Sequence, residues 1–239
     1  MSNLDNFLKV PKPLPKALAT SQEIRDRGSI FVGAAYRAST PIEARNCIKH
    51  HDHVVHVSKR ATHEIAAWRC MVLKHGKDGL GGPEDFELQV GCDDDGENWG
   101  GGKVLKTMQS EGVIDAVVIV SRWYGGTMLG PARFTHIETC AREACRTFKL
   151  VEDVEACVEE LKEMDDTLTS LRGQLASLSE PSENTPSSTS KTHDYSSLLD
   201  PPDLAKAQRL VNARRNAIKS INALMLAKQK KPETEGSQI

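Results

Sequence analysis

Residues 114–120, IDAVVIV, are a near-continuous apolar run. A run of that length rich in Val and Ile reads as a buried strand and demands a fold that covers it. Around it the chain alternates short strand-like and helix-like segments. Ser29 to Tyr36 reads as a strand. Thr40 is placed to cap a helix with Pro41 at its first position, running to about His51. Ile65 to Leu73 and Phe86 to Val90 read as further strands, separated by a glycine-rich loop. Val104 to Ser110 reads as a helix. Pro131 to Phe148 reads as another, with Phe134, Ile137, Ala141 and Ala144 on one face. The order β-α-β-β-α-β-α predicts an α+β fold, a two-layer sandwich.

The region after Leu150 follows a different period. Val154, Leu161, Leu168 and Leu175 recur every seventh residue, with Cys157, Met164, Leu171 and Leu178 in the complementary positions. Unbroken a/d heptads of this kind predict a coiled-coil helix. Its exposed positions are acidic: residues 151–178 hold two Lys/Arg against eight Asp/Glu. A second heptad series, Leu204, Val211, Ile218 and Met225, lies on a basic helix. The expected organisation is therefore a flexible leader (1–20), an α/β domain (21–150), an acidic coiled-coil helix (151–179), a disordered linker (180–203), a basic amphipathic helix (204–231) and a disordered tail (232–239). Opposite charges on two helices joined by a Ser/Thr/Pro-rich linker suggest an antiparallel hairpin; the alternative is a homodimer through the coiled coil.

Composition narrows the function class. The formal net charge is −2, so any nucleic-acid surface must be local, and residues 1–75 supply the basic share with twelve Lys/Arg against six Asp/Glu. No window is apolar enough to span a membrane, and no secretory signal is visible. Six cysteines without framework spacing read as reduced thiols in a cytosolic or nuclear protein, and a cytoplasmic location is expected.

Chemistry-bearing residues concentrate in GCDDDGENWGGGK and SRWYGGTMLGPARF. Gly102-Lys103 is not a phosphate loop, because Glu97 occupies the first-glycine position and Val104 follows the lysine. Gly125 and Gly126 lie between the buried strand and a helix start, where free N–H groups can receive an anion. Arg122 and Arg133 flank that turn. Asp94, Asp95 and Glu97 form an acidic turn whose side chains either cap the next helix or serve recognition. The tract His50, His51, His53 and His56 reads as a solvated helix end. His63 reads as a structural histidine. No Ser-His-Asp or Cys-His set announces itself, so no catalytic residue, metal or cofactor is assigned.

Four blocks together resemble the Impact family: RDRGSIFVG (Arg25 to Gly33), ATHEIAAWR (Ala61 to Arg69), DDGENWGGG (Asp94 to Gly102) and SRWYGGTMLGPARF (Ser121 to Phe134). The resemblance covers about residues 20–150. It implies a left-handed βαβ topology of the kind found in ribosomal-protein and elongation-factor domains. It also implies a non-enzymatic regulator of translation. Eukaryotic members bind the ribosome-associated activator of the starvation-responsive kinase and so restrain phosphorylation of initiation factor 2. Bacterial members are thought to bind nucleic acid. Eukaryotic members usually begin with an RWD domain, for which about 20 residues leave no room, so the arrangement resembles a short fungal paralogue. On this reading Asp94, Asp95, Glu97, Arg122, Trp123 and Tyr124 form a face for the kinase activator or other translation factors. Arg25, Arg27, Arg69, Gly125, Gly126 and Arg133 are the candidate RNA- or ribosome-binding set.

Overall fold

A computed structural model describes residues 14–177 and 193–229. The chain divides into two compact units, Met1–Lys149 and Leu150–Ile239.

The first unit is built on an antiparallel sheet. Its strands are β1 (Ala19–Thr20), β2 (Ile24–Asp26), β3 (Ser29–Arg37), β4 (His63–Leu73), β5 (Phe86–Asp93) and β6 (Ala116–Trp123). The order is β1-β3-β6-β4-β5, with β2 also paired to β3. The apolar run thus forms a central strand, hydrogen-bonded to β3 on one side and β4 on the other. Every residue from Ala116 to Arg122 is buried. Its alternate side chains enter two separate cores. Val118 and Val120 join Phe31, Ala35, Ile65 and Ala67 on one face. Val117 and Ile119 join Ala34, Tyr36, Ala66 and Trp68 on the other.

Three helices cover these faces. α1 (Pro41–His50) starts as its sequence predicts: Thr40 Oγ1 accepts the Glu43 N–H at 3.2 Å, and Pro41 opens the first turn. Ala44 and Cys47 of α1 pack on the Tyr36–Trp68 face. α2 (Gly100–Ser110) and the first turns of α3 (Ala132–Ser177) pack on the Phe31–Ile65 face, through Val104, Met108, Ile137, Cys140 and Ala144. The α+β fold is as expected, with one addition to the two layers: α1 furnishes a partial third.

The topology requires one left-handed crossover. β3 and β4 are both antiparallel to β6, hence parallel to each other, and α1 joins them across β6. β5 and β6 are both antiparallel to β4, hence parallel, and α2 joins them across β4. The second crossover reverses the strand direction, the direction of travel along the sheet and the face on which the helix lies. Three reversals invert the hand. One of the two must therefore be left-handed, against a preference of about 98% for right-handed crossovers. The family resemblance implies such a connection.

Two boundaries differ from expectation. Residues 17–20 lie inside the expected leader, yet Ala19 is buried and Leu18 N–H donates to Ala35 O at 2.9 Å. The edge of β3 offers unpaired backbone groups there, and the chain satisfies them. α2 begins at Gly100, a turn before the expected start at Val104, because Asp94 caps it from a distance (below).

In the second unit, α3 continues to Ser177 and α4 spans Leu204–Gln229. The heptad positions Val154 and Leu161 are buried, together with Val158. They cluster with Ala207 and Val211, while Leu150, Leu204 and Leu210 flank the cluster. Farther along, Arg214 Nε reaches Asp165 Oδ1 at 2.6 Å. Low numbers meet low and high meet high, so these stretches run in parallel, not as the antiparallel hairpin expected. The first half of the seam expected to serve a hairpin or a homodimer, Val154 to Met164, is filled here from within the chain, while Leu178 lies outside the described residues. The reason lies in the presumed linker. Residues 178–192 are outside the described residues, but 193–203 are an ordered return segment whose Tyr195 and Leu198 are buried in the cluster. Tyr195 Oη donates to Asp165 Oδ2 at 2.5 Å. Burial alone would raise the Asp165 carboxyl, but the Tyr195 hydroxyl and the Arg214 guanidinium hold it below the usual carboxylate range.

Candidate functional site

Two adjacent registered pairs on β4 and β6 build the site. His63 faces Arg122, and Glu64 faces Ser121. Because strand side chains alternate, the first pair points to one face of the sheet and the second to the other.

On the Phe31 face, Arg122 and Arg133 converge on the buried carboxylate of Glu97. Arg122 Nη1 donates to Glu97 Oε2, and Arg133 Nε lies 2.5 Å from Oε1. The Arg122 guanidinium also lies over the rings of Phe31 and Tyr124, 5.4 and 5.6 Å from their centroids. Its Nε is buried without a hydrogen-bond acceptor. Burial and the neighbouring Arg133 push the Arg122 guanidinium below its ordinary value, but far from losing its charge. Thr62, His63, Gly96, Tyr124, Met128 and Gly130 complete a cleft of about 350 Å³ around these groups. Met128 and Tyr124 are exposed at its rim.

The acidic turn holds this arrangement from below. Asp94 Oδ1 accepts the Gly101 N–H at 2.7 Å, and its Oδ2 accepts the Trp99 N–H at 3.0 Å. These are the orphan donors of the α2 N-terminus. Asp95 Oδ2 accepts the Glu64 N–H at 2.6 Å, and Asp95 O accepts from His63 Nδ1 at 2.7 Å. Of the carboxylates expected on a recognition face, Glu97 is buried, half-buried Asp94 caps α2, and exposed Asp95 braces the start of β4. What the turn presents outward is Trp99, 78% exposed and held at φ +72°. A left-handed conformation is costly for a bulky residue and marks a backbone constrained by its surroundings.

On the α1 face, a chain of polar groups is buried. Tyr36 Oη lies 2.6 Å from His51 Nδ1. His51 Nε2 lies 3.0 Å from Ser121 Oγ, which donates to Glu64 Oε2 at 2.5 Å. Glu64 Oε1 lies 2.6 Å from His56 Nδ1. The ring of Trp123 packs edge-on to that of His56, 5.0 Å between centroids. Histidines 51 and 56 meet because residues His51–Val55 form a π-helical turn, closed by His56 N–H donating to His51 O at 3.0 Å. The tract expected to be a solvated helix end therefore has one buried member, His51. Its imidazole is pushed down to about 4, mainly by burial, with Glu64 opposing and His56 adding to the shift.

Stability should record that displacement. Between pH about 6.5 and about 4 the unfolded chain binds a proton that the folded chain does not. The contribution is complete above the unfolded value and is lost as pH falls, levelling off near 4, with a loss on the order of 3 kcal/mol. Urea midpoints measured from about pH 7.5 to 4.5 in chelated buffer should fall steeply, and less so in His51→Gln. Equal slopes in the two proteins would show that His51 is not a buried neutral group.

The other predicted residues scatter. Arg25 pairs with Glu23, and Arg27 with Asp26, on the β2–β3 hairpin. Arg69 donates to the Met108 and Val113 carbonyls. It sits six residues along β4 from His63, about 20 Å at strand rise. Trp123 Nε1 donates to Lys59 O at 3.1 Å. Gly125 lies against the hairpin turn at Gly28, and its N–H donates to Ser29 Oγ at 3.1 Å. The structure thus assembles Glu97, Arg122, Tyr124 and Arg133, and leaves Arg25, Arg27 and Arg69 outside the cleft. Sequence reasoning missed Tyr36, Glu64 and Ser121. Their signal was faint: the Glu of THEI and the Ser of SRW, each beside a residue on the opposite face.

The profile of the Impact N-terminal domain matches residues 27–145, which include both faces of this site. The chain belongs to the Impact family. Protein IMPACT of Bos taurus is 57% identical over 83 residues, which cover 34% of this chain and 23% of that protein. Protein IMPACT of Homo sapiens is 55% identical over 83 residues, covering 34% and 22%. The aligned part of the chain is thus less than a quarter of these relatives' length. A solved structure of the two-domain translational regulator Yih1 is 30% identical, with a TM-score of 0.37, and covers 58% of this chain and 48% of that one. No helix among the described residues is long and apolar enough to cross a membrane.

Proposed function

We propose that this Impact-family protein regulates translation without catalysis, through protein contacts made at the rim of the Glu97 cleft. The observation that carries the reading is the cluster of outward groups on an internally braced frame. Trp99, Tyr124 and Met128 are exposed, while Glu97, Arg122 and Arg133 tie their two loops together. Tryptophan, tyrosine and methionine are over-represented in interface cores, and a rigid frame lowers the ordering cost of binding. The family resemblance gives the direction: a ribosome-associated activator of the starvation-responsive kinase, or another translation factor, in the cytoplasm, with restraint of initiation-factor-2 phosphorylation as the outcome.

The test is recovery of partners from native extract by the full chain, with and without nuclease. Kinase activator or translation factors should be recovered despite nuclease and be lost with the Trp99→Ala, Met128→Ala double variant. Both side chains are exposed, so the fold should survive their removal. Equal recovery by the variant would reject the rim. Two arginines within one cleft favour RNA as the second reading. In that case recovery would depend on intact RNA and fall steeply with salt.

A further inference from the structure

We infer that His51, His56 and Glu64 form a zinc-binding site on the α1 face of the sheet. One ligand atom from each lies within 4.8 Å of the others. Zinc with bonds of about 2.0–2.1 Å holds tetrahedral ligands roughly 3.3 Å apart. Here His51 Nε2 and Glu64 Oε2 are 3.8 Å apart, and His56 Nδ1 and Glu64 Oε1 are 2.6 Å apart. Closing three ligand atoms from within 4.8 Å of one another to that spacing takes shifts of about an ångström or less per side chain.

Three further observations agree. First, the carboxylate is buried, and among the described residues its side-chain partners are a hydroxyl and imidazoles, with no Lys or Arg. A buried carboxylate needs a compensating cation. Second, His51 Nδ1 is held by Tyr36 Oη at 2.6 Å. That contact orients the ring. Because Ser121 Oγ gives its hydrogen to Glu64, Nε2 carries the imidazole proton here; zinc would displace it, and Nδ1–H would then donate to Tyr36 Oη, the outer support typical of a metal-bound histidine. Third, there is a way in. A separate depression of about 290 Å³ reaches Glu64, lined by Asp52, Asp93 and Asp95 together with Lys49 and Arg60, the last paired with Asp52. Two imidazoles and one carboxylate suit zinc rather than magnesium or calcium, which prefer all-oxygen sites. Ser121 Oγ, 3.0 Å from His51 Nε2, or a water entering from the depression would take the fourth position. Bound there, the ion would fasten the π-helical turn to β4. The inference is independent of the cleft on the opposite face.

The full chain, stripped with EDTA, is titrated with ZnCl2 and followed by thermal shift, and separately with Co2+ followed by its visible spectrum. One equivalent of zinc should bind and raise the melting temperature by several degrees. Co2+ should give tetrahedral bands without thiolate charge transfer. His56→Ala, whose side chain is at the edge of the buried set, should weaken zinc binding at least 100-fold. His50→Ala, outside the cluster, and Cys92→Ser, at an exposed thiol, should leave it unchanged. Circular dichroism checks that each variant is folded. Should His56→Ala unfold, the wild-type Co2+ spectrum decides alone. Absence of binding, a thiolate-type spectrum, retention in folded His56→Ala or loss in Cys92→Ser would each overturn the inference.

Discussion

Replacing Glu97 with alanine should destabilise the first unit by about 3–5 kcal/mol, the cost of leaving buried charge uncompensated. Arg122 is 6% exposed, and Arg133 reaches the same carboxylate, so two guanidiniums lose the anion they share. Glu97→Gln should cost less, because the amide oxygen still accepts one hydrogen bond while the charge is lost. Adding Arg133→Met to Glu97→Ala should recover part of the loss, with a coupling of about 1–3 kcal/mol. The measurement is convenient. The tryptophans, Trp68, Trp99 and Trp123, all lie in the first unit, so their fluorescence in urea follows that unit. A cost below about 1 kcal/mol for Glu97→Ala would mean that the carboxylate is hydrated and the cleft is not held as described.

That experiment also probes the functional proposal. The rim residues are carried by two loops, 94–99 and 124–130, whose link is the Glu97 ion-pair set. A variant that loosens the link without unfolding the sheet, Glu97→Gln by this argument, should lose partner affinity more than stability. Trp99→Ala should show the same separation more sharply, losing affinity at almost no cost in stability, since its ring covers little.

The sheet was legible because its signals are local. IDAVVIV could only be a covered strand, and Thr40-Pro41 could only begin a helix at that place. The short edge strands were not legible: Ala19–Thr20 and Ile24–Asp26 are two and three residues long, too short to show a period. They exist because β3 has an edge to satisfy. The direction of α4 was also hidden, since heptads and opposite charges fit parallel and antiparallel pairing equally. Tyr195 and Leu198 decide the path, and they sit in a segment whose composition is that of a linker. The buried polar chain was hidden for a different reason. His51 and His56 are five apart, which is not a helix-face spacing, and only a π-helical turn brings them together. Their partner Glu64 is adjacent to His63, which strand alternation sends to the other face. One block of sequence, THEIAAWR, thus serves two sites, and no reading by spacing can separate them.

Gly125→Ala should cost roughly 3 kcal/mol, at the upper end of what overpacking exacts. A Cβ at that position would lie 1.9 Å from the Gly28 carbonyl carbon and 2.3 Å from Ser29 N. Those atoms are backbone in a two-residue hairpin turn, with Arg27 at φ +45° and Gly28 at φ +79°. Neither partner can move aside as a side chain would, so the 124–130 loop must lift. Lifting breaks the Gly125 N–H to Ser29 Oγ hydrogen bond and withdraws the Tyr124 ring from Arg122. Gly126→Ala is the control. It meets open space but sits at φ +84°, so it should cost only about 1–2 kcal/mol of conformational strain and leave the loop seated. The two variants separate contact from conformation. A Gly125→Ala protein no less stable than Gly126→Ala would show that the loop does not rest on the hairpin. If the larger loss is found, partner recovery should fall with it, because the turn at Gly28 is then the support that holds Tyr124 and Met128 at the rim.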